Sequence, residues 1–279
     1  MTTFLIVVGA LLLLVGGAVW KLRSLDSSRK KRFIKWTVRA FYQRLEDWGV
    51  IEPTPAYIRD YHRQYPGLEA LEKNHAVIRE ECLALLERKN DLTDISALGG
   101  NYTQQGIHVI QWKSFMFKSG DFIAENCRLA PRTADLIRQV PGCYTAFFSI
   151  LDPKQYVTPH WGYYKGFLRY HLGVIIPYEN KDEQCWLRVN DDPVANANKD
   201  ESAIVQGEKY CWHEGEGVVF DDTHLHDACN DSDQVRVVLW LDLRKRLPWY
   251  VQWVNVLFLW IAHKDKSVQK IRENARVAA

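Results

Sequence analysis

The hydrophobic positions of this chain change period near residue 100. Before that point the spacing is helical. Phe33, Trp36, Ala40 and Phe41 recur at helical intervals within the basic, aromatic stretch Lys30 to Trp48, which predicts either a juxtamembrane helix near anionic headgroups or a linker helix packed on the domain, ended by Pro53 and Pro55. After Tyr65-Pro66-Gly67, Leu68, Leu71, His75, Ile78, Cys82 and Leu85 share one face of an amphipathic helix from about Leu68 to Arg88, with His75 a packed helix residue. From about Tyr102 the texture becomes short apolar runs separated by turn residues. These predict antiparallel strands at His108 to Trp112, Phe115 to Phe117, Tyr144 to Leu151, Phe167 to Ile176, Cys185 to Val189, Glu208 to Trp212, Gly217 to Asp221 and Val235 to Leu243. One helix, about Ala130 to Gln139, interrupts them. Such a series, with Gly, Asn and Asp turns, suits a mainly β jelly roll or related sandwich. The polar loop Asn190 to Ser202 reads as a lid or as plain surface.

Two apolar stretches flank this core. Phe4 to Trp20 carries no charge, and Lys21, Arg23, Arg29, Lys30, Lys31 and Arg32 follow it. A signal peptide wants its positive charge first, so a transmembrane anchor over residues 1–22 fits better. The positive-inside rule then predicts a single-pass protein of a bacterial-type inner membrane with everything after residue 21 in the cytoplasm. Near the other end, Leu247 to Ala262 is apolar with three tryptophans and a tyrosine, but short and basic on both sides. An interfacial helix on the bilayer is expected there, with a helix packed on the domain as the alternative. The domains are therefore expected as 1–22 anchor, 23–100 juxtamembrane and helical region, 101–246 β domain, and 247–279 interfacial helix and basic tail.

Composition adds limits. With 279 residues, 47% hydrophobic and 25% charged, the chain is globular and can bury a sizeable core. Its net charge of +2 argues against nucleic acid as a partner. Cys82, Cys127, Cys143, Cys185, Cys211 and Cys229 form no C-x-x-C pair and read as scattered reduced thiols.

Candidate chemistry gathers in two stretches. In the first, His160 stands in a loop while Arg169 and His171 project from one face of a strand whose other face is Leu168, Tyr170, Leu172, Val174 and Ile176. A buried core needs no arginine and histidine aligned on its inner side. In the second, a strand ends in Phe220-Asp221-Asp222-Thr223-His224-Leu225-His226, and a later strand begins at Arg236. Val238, Trp240 and Asp242 share the face of Arg236, with Val235, Val237, Leu239 and Leu241 opposite. His160 and His226 with His171, Arg169 and Arg236 suit a metal plus a dianion. His213 and His224 read as surface or packing residues. No Ser-His-Asp set or phosphate-binding glycine loop is present.

His160-x-Gly162, Leu168-Arg169-x-His171-Leu172-Gly173, Ile176-Pro177, Trp212-x-Glu214-Gly215, Phe220-Asp221-Asp222-x-x-x-His226 and Arg236 together resemble the aspartyl/asparaginyl β-hydroxylase family. The resemblance covers roughly Asn126 to Arg246. It implies a double-stranded β-helix of cupin-like type and an oxygenase using iron(II), 2-oxoglutarate and O2. It further implies that His160 and His226 hold iron, that Arg169 and His171 hold the 1-carboxylate end of 2-oxoglutarate, and that Arg236 with Ser149 holds its 5-carboxylate. Asp222 would steady the site. Most oxygenases of this chemistry place a carboxylate two residues after the first histidine; here that residue is Gly162, which resembles the two-histidine branch and can be read as an extra water position. A membrane-lipid acyl chain such as that of lipid A is the expected substrate. The alternatives are a peptidyl aspartate or asparagine and, in a different class, a non-catalytic cupin-like sensor of a metal and an anion.

Overall fold

The computed structural model describes Gly9 and residues 27–88, 92–98 and 111–277. Its framework is mainly β, built of two antiparallel sheets. The larger has the strand order β1 (Thr93–Asp94), β2 (Trp112–Ser119), β4 (Cys143–Leu151), β11 (Arg236–Arg244), β6 (Phe167–Ile175), β9 (Gly217–Phe220), with β3 (Asp121–Phe122) paired to β2. The smaller has the order β5 (Gln155–Trp161), β10 (Leu225–Asn230), β7 (Cys185–Asn190), β8 (Glu208–Cys211). From β4 onward the chain passes repeatedly between the sheets, which is the jelly-roll connectivity the turn spacing predicts.

Each face of the large sheet has its own cover. On the outer face Leu168, Tyr170, Leu172, Val174, Leu239 and Leu241 pack with Leu68, Leu71, Ile78, Cys82 and Leu85. The helices that supply these are α2 (Leu68–Lys73) and α3 (His75–Glu87), so the single predicted helix over 68–88 is broken at Asn74. His75 turns its ring to the Val174 carbonyl at 3.1 Å, a packing role. Between α4 (Ala124–Leu129) and α5 (Pro131–Arg138) Ala130 offers no side-chain cap, and the buried Glu81 carboxylate from α3 accepts instead from Thr133 N–H and Oγ1–H at 2.8 and 2.7 Å. The inner face meets the small sheet through Phe147, Leu151, Val157 and Trp240 at one end and Val238, Leu187, Val189 and Trp212 at the other. The alternation predicted for β6 ends one pair early. A register shift against β11 at Val237/Val238 moves Ile176 to the inner cluster while Ile175 packs on the outer one.

The remaining helices gather at one end of the sandwich. Helix α1 (Ser27–Asp47) packs Phe41, Tyr42 and Leu45 against Val251 and Val254 of α7 (Trp249–His263), which is followed by α8 (Lys266–Asn274). Asn255 of α7 donates to the Gly166 carbonyl at 3.0 Å and fixes that helix to the β5–β6 connection. Helix α7 thus takes the packed alternative on one face while its other face stays exposed. The loop over 190–202 folds into α6 (Pro193–Asn198) and a following 3-10 turn. All six cysteines are free thiols.

The membrane topology expected above is corrected. Among the described residues no helix is long and apolar enough to cross a membrane. The most apolar, α7, has 15 residues, about 22 Å at the helical rise and short of a ~30 Å hydrocarbon core. The single-pass location with a cytoplasmic domain has no support in the fold, and Phe4 to Trp20 lies, Gly9 apart, outside the described residues. The strand predicted at His108 also begins outside them.

Candidate active site

Two histidines meet across neighbouring strands. His160 on β5 and His226 on β10 are direct cross-strand partners, with ring centroids 4.1 Å apart. Both were expected beyond strand ends; both lie within strands, so the backbone ladder itself sets their separation. Each ring hydrogen-bonds a carbonyl two residues upstream: His160 Nδ1 lies 2.8 Å from Thr158 O, and His226 Nδ1 lies 2.9 Å from His224 O. An Nδ1–H donated there leaves each Nε2 as a lone-pair donor, the arrangement that orients metal-binding imidazoles. Burial lowers the pKa of both, strongly so for His226, and the rings are neutral at pH 7.

Beside them the space at Gly162 is already filled. A Cβ built on Gly162 would overlap the Asp222 carboxylate, and the Gly162 N–H donates to Asp222 O at 2.6 Å. Asp222 in turn lies 2.9 Å from a terminal nitrogen of Arg169, whose Nε donates to Asp242 at 3.2 Å. The Arg169 guanidinium also lies over the Trp240 ring at 3.8 Å. Arg169 is therefore held by two carboxylates. Burial raises Asp222 to about 6, Arg169 opposing and Asp242 and Asp221 reinforcing. Among the described residues no group of three His, Cys, Asp or Glu side chains is placed to hold a metal, and the two imidazoles are the candidate donors.

Behind the pair, between the sheets, is a cluster of polar atoms without partners. His171 is fully buried with neither ring nitrogen hydrogen-bonded, and its ring packs on Trp240, Phe220 and Trp212. Arg236 lies over the Trp212 ring at 4.6 Å with its Nε unpaired, and the Trp212 Nε1–H is unpaired as well. Burial lowers Arg236 to about 10 and drives His171 well below its usual value. Buried donors without acceptors are costly, so the open Arg236 Nε–H and the open indole N–H beside it together suit a bound anion. In the sequence Trp212 stands out only as part of Trp212-x-Glu214-Gly215; this arrangement makes it a candidate anion donor. Ser149 stands on β4 two residues from the Arg236 partner Leu151, and its Oγ accepts from Trp112 Nε1–H at 2.9 Å. His224 bonds the Thr54 carbonyl at 2.8 Å and His213 is exposed, so neither joins the site.

A cavity of about 660 Å³ leads to this centre, lined by His160, Arg169, Asp222, Trp112, Trp240, Tyr144 and Ile271 among others. The 190–202 segment belongs to its wall: Asn196 Oδ1 accepts from Trp161 Nε1–H and from Leu225 N–H, both at 2.8 Å. The sequence model of the aspartyl/asparaginyl beta-hydroxylase family matches residues 72–246, a segment that holds β1 through β11 and both histidines. The chain belongs to the aspartyl/asparaginyl beta-hydroxylase family.

Within this hydroxylase family, one similar protein is the ornithine lipid ester-linked acyl 2-hydroxylase of Rhizobium tropici, 31% identical over 68% of this chain and 62% of that protein. Another is the human aspartyl/asparaginyl beta-hydroxylase, 28% identical over 63% of this chain and 21% of that protein. The chain thus spans less than two thirds of the length of these curated relatives. Among solved structures, a Pseudomonas putida prolyl-4-hydroxylase covers 61% of this chain and 87% of its own at a TM-score of 0.38 and 14% identity.

Proposed function

We propose that this chain is an iron(II)- and 2-oxoglutarate-dependent hydroxylase whose substrate is a lipid acyl chain. The observation that carries the reading is the back-bonded, neutral pair His160–His226 set in front of a buried cluster of unpaired donors. The pair suits iron through its two Nε2 atoms, and Arg236 with Trp212 suits a carboxylate between the sheets. When bound, iron and 2-oxoglutarate would supply the oxidation, with 2-oxoglutarate and O2 converted to succinate and carbon dioxide as one oxygen atom enters a C–H bond. The protein's part is to orient and to exclude water. Arg169 keeps Asp222 against Gly162, His171 closes the inner wall as a neutral ring, and Trp112, Trp240 and Ile271 give the cavity apolar sides for a hydrocarbon.

Two observations favour a lipid. The name of the Rhizobium relative states an acyl substrate. In addition, α7 exposes Trp249, Trp253, Leu257, Trp260 and Ile261, and α1 exposes Ile34 and Trp36. The α7 residues recur at helical spacing on the face away from α1, and Lys264 lies over the Trp260 ring at 3.6 Å. Apolar and indole side chains beside basic ones suit an anionic lipid surface, and α1 and α8 both line the cavity, so that surface would adjoin its mouth. A second reading, peptidyl aspartate or asparagine hydroxylation, rests on Gly162, which resembles the two-histidine branch. Succinate release with iron(II), 2-oxoglutarate and either class of substrate tests the proposal, with mass spectrometry of the lipid for a gain of one oxygen. Turnover with peptide alone would move the assignment to the second reading; no succinate under any condition would leave a non-catalytic metal and anion sensor.

A further inference from the structure

The mouth of the cavity carries two cations that the hydroxylation chemistry does not use. Arg39 projects from α1 and Lys199 from the turn that ends α6, and both line the cavity that reaches His160. Neither makes an ion pair with a carboxylate among the described residues. Cations close by do: Lys165 is held by Glu46 and Gln43, and Arg169 by Asp222 and Asp242.

Their placement is fixed by packing. Arg39, Gln43 and Glu46 recur along one side of α1, and Lys165 ties the last two to the β5–β6 connection. Arg39, one turn before Gln43 on that side, is thereby held in the cavity lining. Lys199 takes φ 57° and ψ 42°, a left-handed conformation that favours glycine. Its ammonium sits 4.2 Å from the centroid of the Trp161 ring, and that ring is anchored by Asn196. Burial, then Arg39 and Lys165, press the Lys199 pKa down to about 8, so the two cations feel one another. For Arg39 burial outweighs the pull of Asp221, Asp222 and Glu46, carboxylates already engaged by Lys245, Arg169 and Lys165. Glu201 also lines the cavity but is exposed.

We propose that Arg39 and Lys199 form an anion clamp at the cavity mouth that takes a phosphate or carboxylate of the substrate while its apolar chain runs inward past Trp161 and Trp240 to His160 and His226. The proposal rests on the lipid reading and deepens it to an anionic amphiphile. Half of the clamp comes from α1, outside the family segment 72–246, so it is a property of this chain rather than of the family motifs.

Calorimetric titration of the full-length, metal-free chain tests it with three probes: dihexanoyl phosphatidate, 1,2-dihexanoylglycerol with the same chains and no charge, and inorganic phosphate. The phosphatidate should bind at least tenfold more tightly than the diacylglycerol, with an affinity that falls as salt is raised. Arg39→Gln and Lys199→Gln should each weaken it about tenfold and together erase the preference, for two lost charge-assisted contacts. Arg39→Lys should keep most of it. Lys209→Gln, on a surface lysine paired with Glu183, should change nothing. Inorganic phosphate binding as tightly as the phosphatidate would support the clamp but assign it to a free anion and overturn the headgroup part. Equal affinity for the uncharged lipid, or a preference that survives both glutamine variants, overturns the clamp. Because binding is read without turnover, an intact preference in a chain that never releases succinate would sink the hydroxylase reading and leave the clamp standing.

Discussion

Gly162 and Asp222 occupy one volume between them. The resemblance to two-histidine hydroxylases leaves the space beside Gly162 open for a water; the structure fills it with the Asp222 carboxylate, held from the other side by Arg169. A side chain at residue 162 must displace that carboxylate. Gly162→Asp should therefore destabilise the chain by about 1–3 kcal/mol, the usual range for overpacking. Asp222→Gly in the same chain should recover most of the loss, and urea unfolding of the single and double variants measures the coupling. Additive effects would mean the two residues do not compete for space. The same carboxylate predicts a pH dependence. Its folded value of about 6 lies above the ordinary 3.8, so between those values the native state binds the proton more tightly than the unfolded chain does. Stability from this group is complete below pH 3.8 and falls as pH rises toward and past 6. Relative to Asp222→Asn, the metal-free wild type should lose about 3 kcal/mol across that window. A difference that stays level with pH would show that Asp222 ionises normally.

At the scale of elements, hydrophobic alternation made β6 and β11 readable, since each has one face in a sheet-and-helix core and one toward the site. It failed on β5 and β10, the strands that carry the histidine pair. Strand β5 reads Gln-Tyr-Val-Thr-Pro-His-Trp, and its Pro159 is tolerated because β5 is the edge of the small sheet. Strand β10 is paired on both sides yet mostly polar: His226 faces the site, Asp227 binds Arg188 at 2.6 Å, and Asn230 donates to the ends of β4 at 3.0 Å. Ladder hydrogen bonds and side-chain partners hold these strands, and neither leaves a periodic apolar trace. Helix α7 was legible as a short, apolar, tryptophan-rich stretch with basic flanks, but its packing on α1 depends on tertiary partners that spacing does not name. Its exposed stripe gives a direct test. Trp253 is 70% exposed and Trp260 55%, so Trp253→Ser with Trp260→Ser should leave the unfolding midpoint nearly unchanged. Co-sedimentation with vesicles containing a third anionic lipid should fall at least fivefold. Undiminished co-sedimentation would place the lipid contact elsewhere.

For the whole molecule the decisive property is that the candidate metal donors and the candidate anion donors sit on different sheets. His160 and His226 belong to the small sheet, Arg236 and His171 to the large one, and Trp212 follows β8 to lie between. Two neutral imidazoles without a carboxylate make a weak hold on a divalent ion, because no ligand charge offsets its dehydration. The unpaired Arg236 and Trp212 donors make a site that is costly while it lacks an acceptor. A dicarboxylate reaching from the metal to Arg236 would relieve both at once and bridge the sheets. Thermal unfolding under anaerobic conditions should therefore show strong cooperativity: iron(II) alone or 2-oxoglutarate alone raises the midpoint little, and the two together raise it by more than the sum, since ligands that bind only the folded state stabilise it in proportion to their affinity. Arg236→Ala should remove most of the joint gain while leaving the small effect of the metal alone. His226→Ala should remove both. If the two increments simply add in the wild type, the metal pair and the anion cluster are separate sites, and a shared ligand is not what holds the two sheets around this centre.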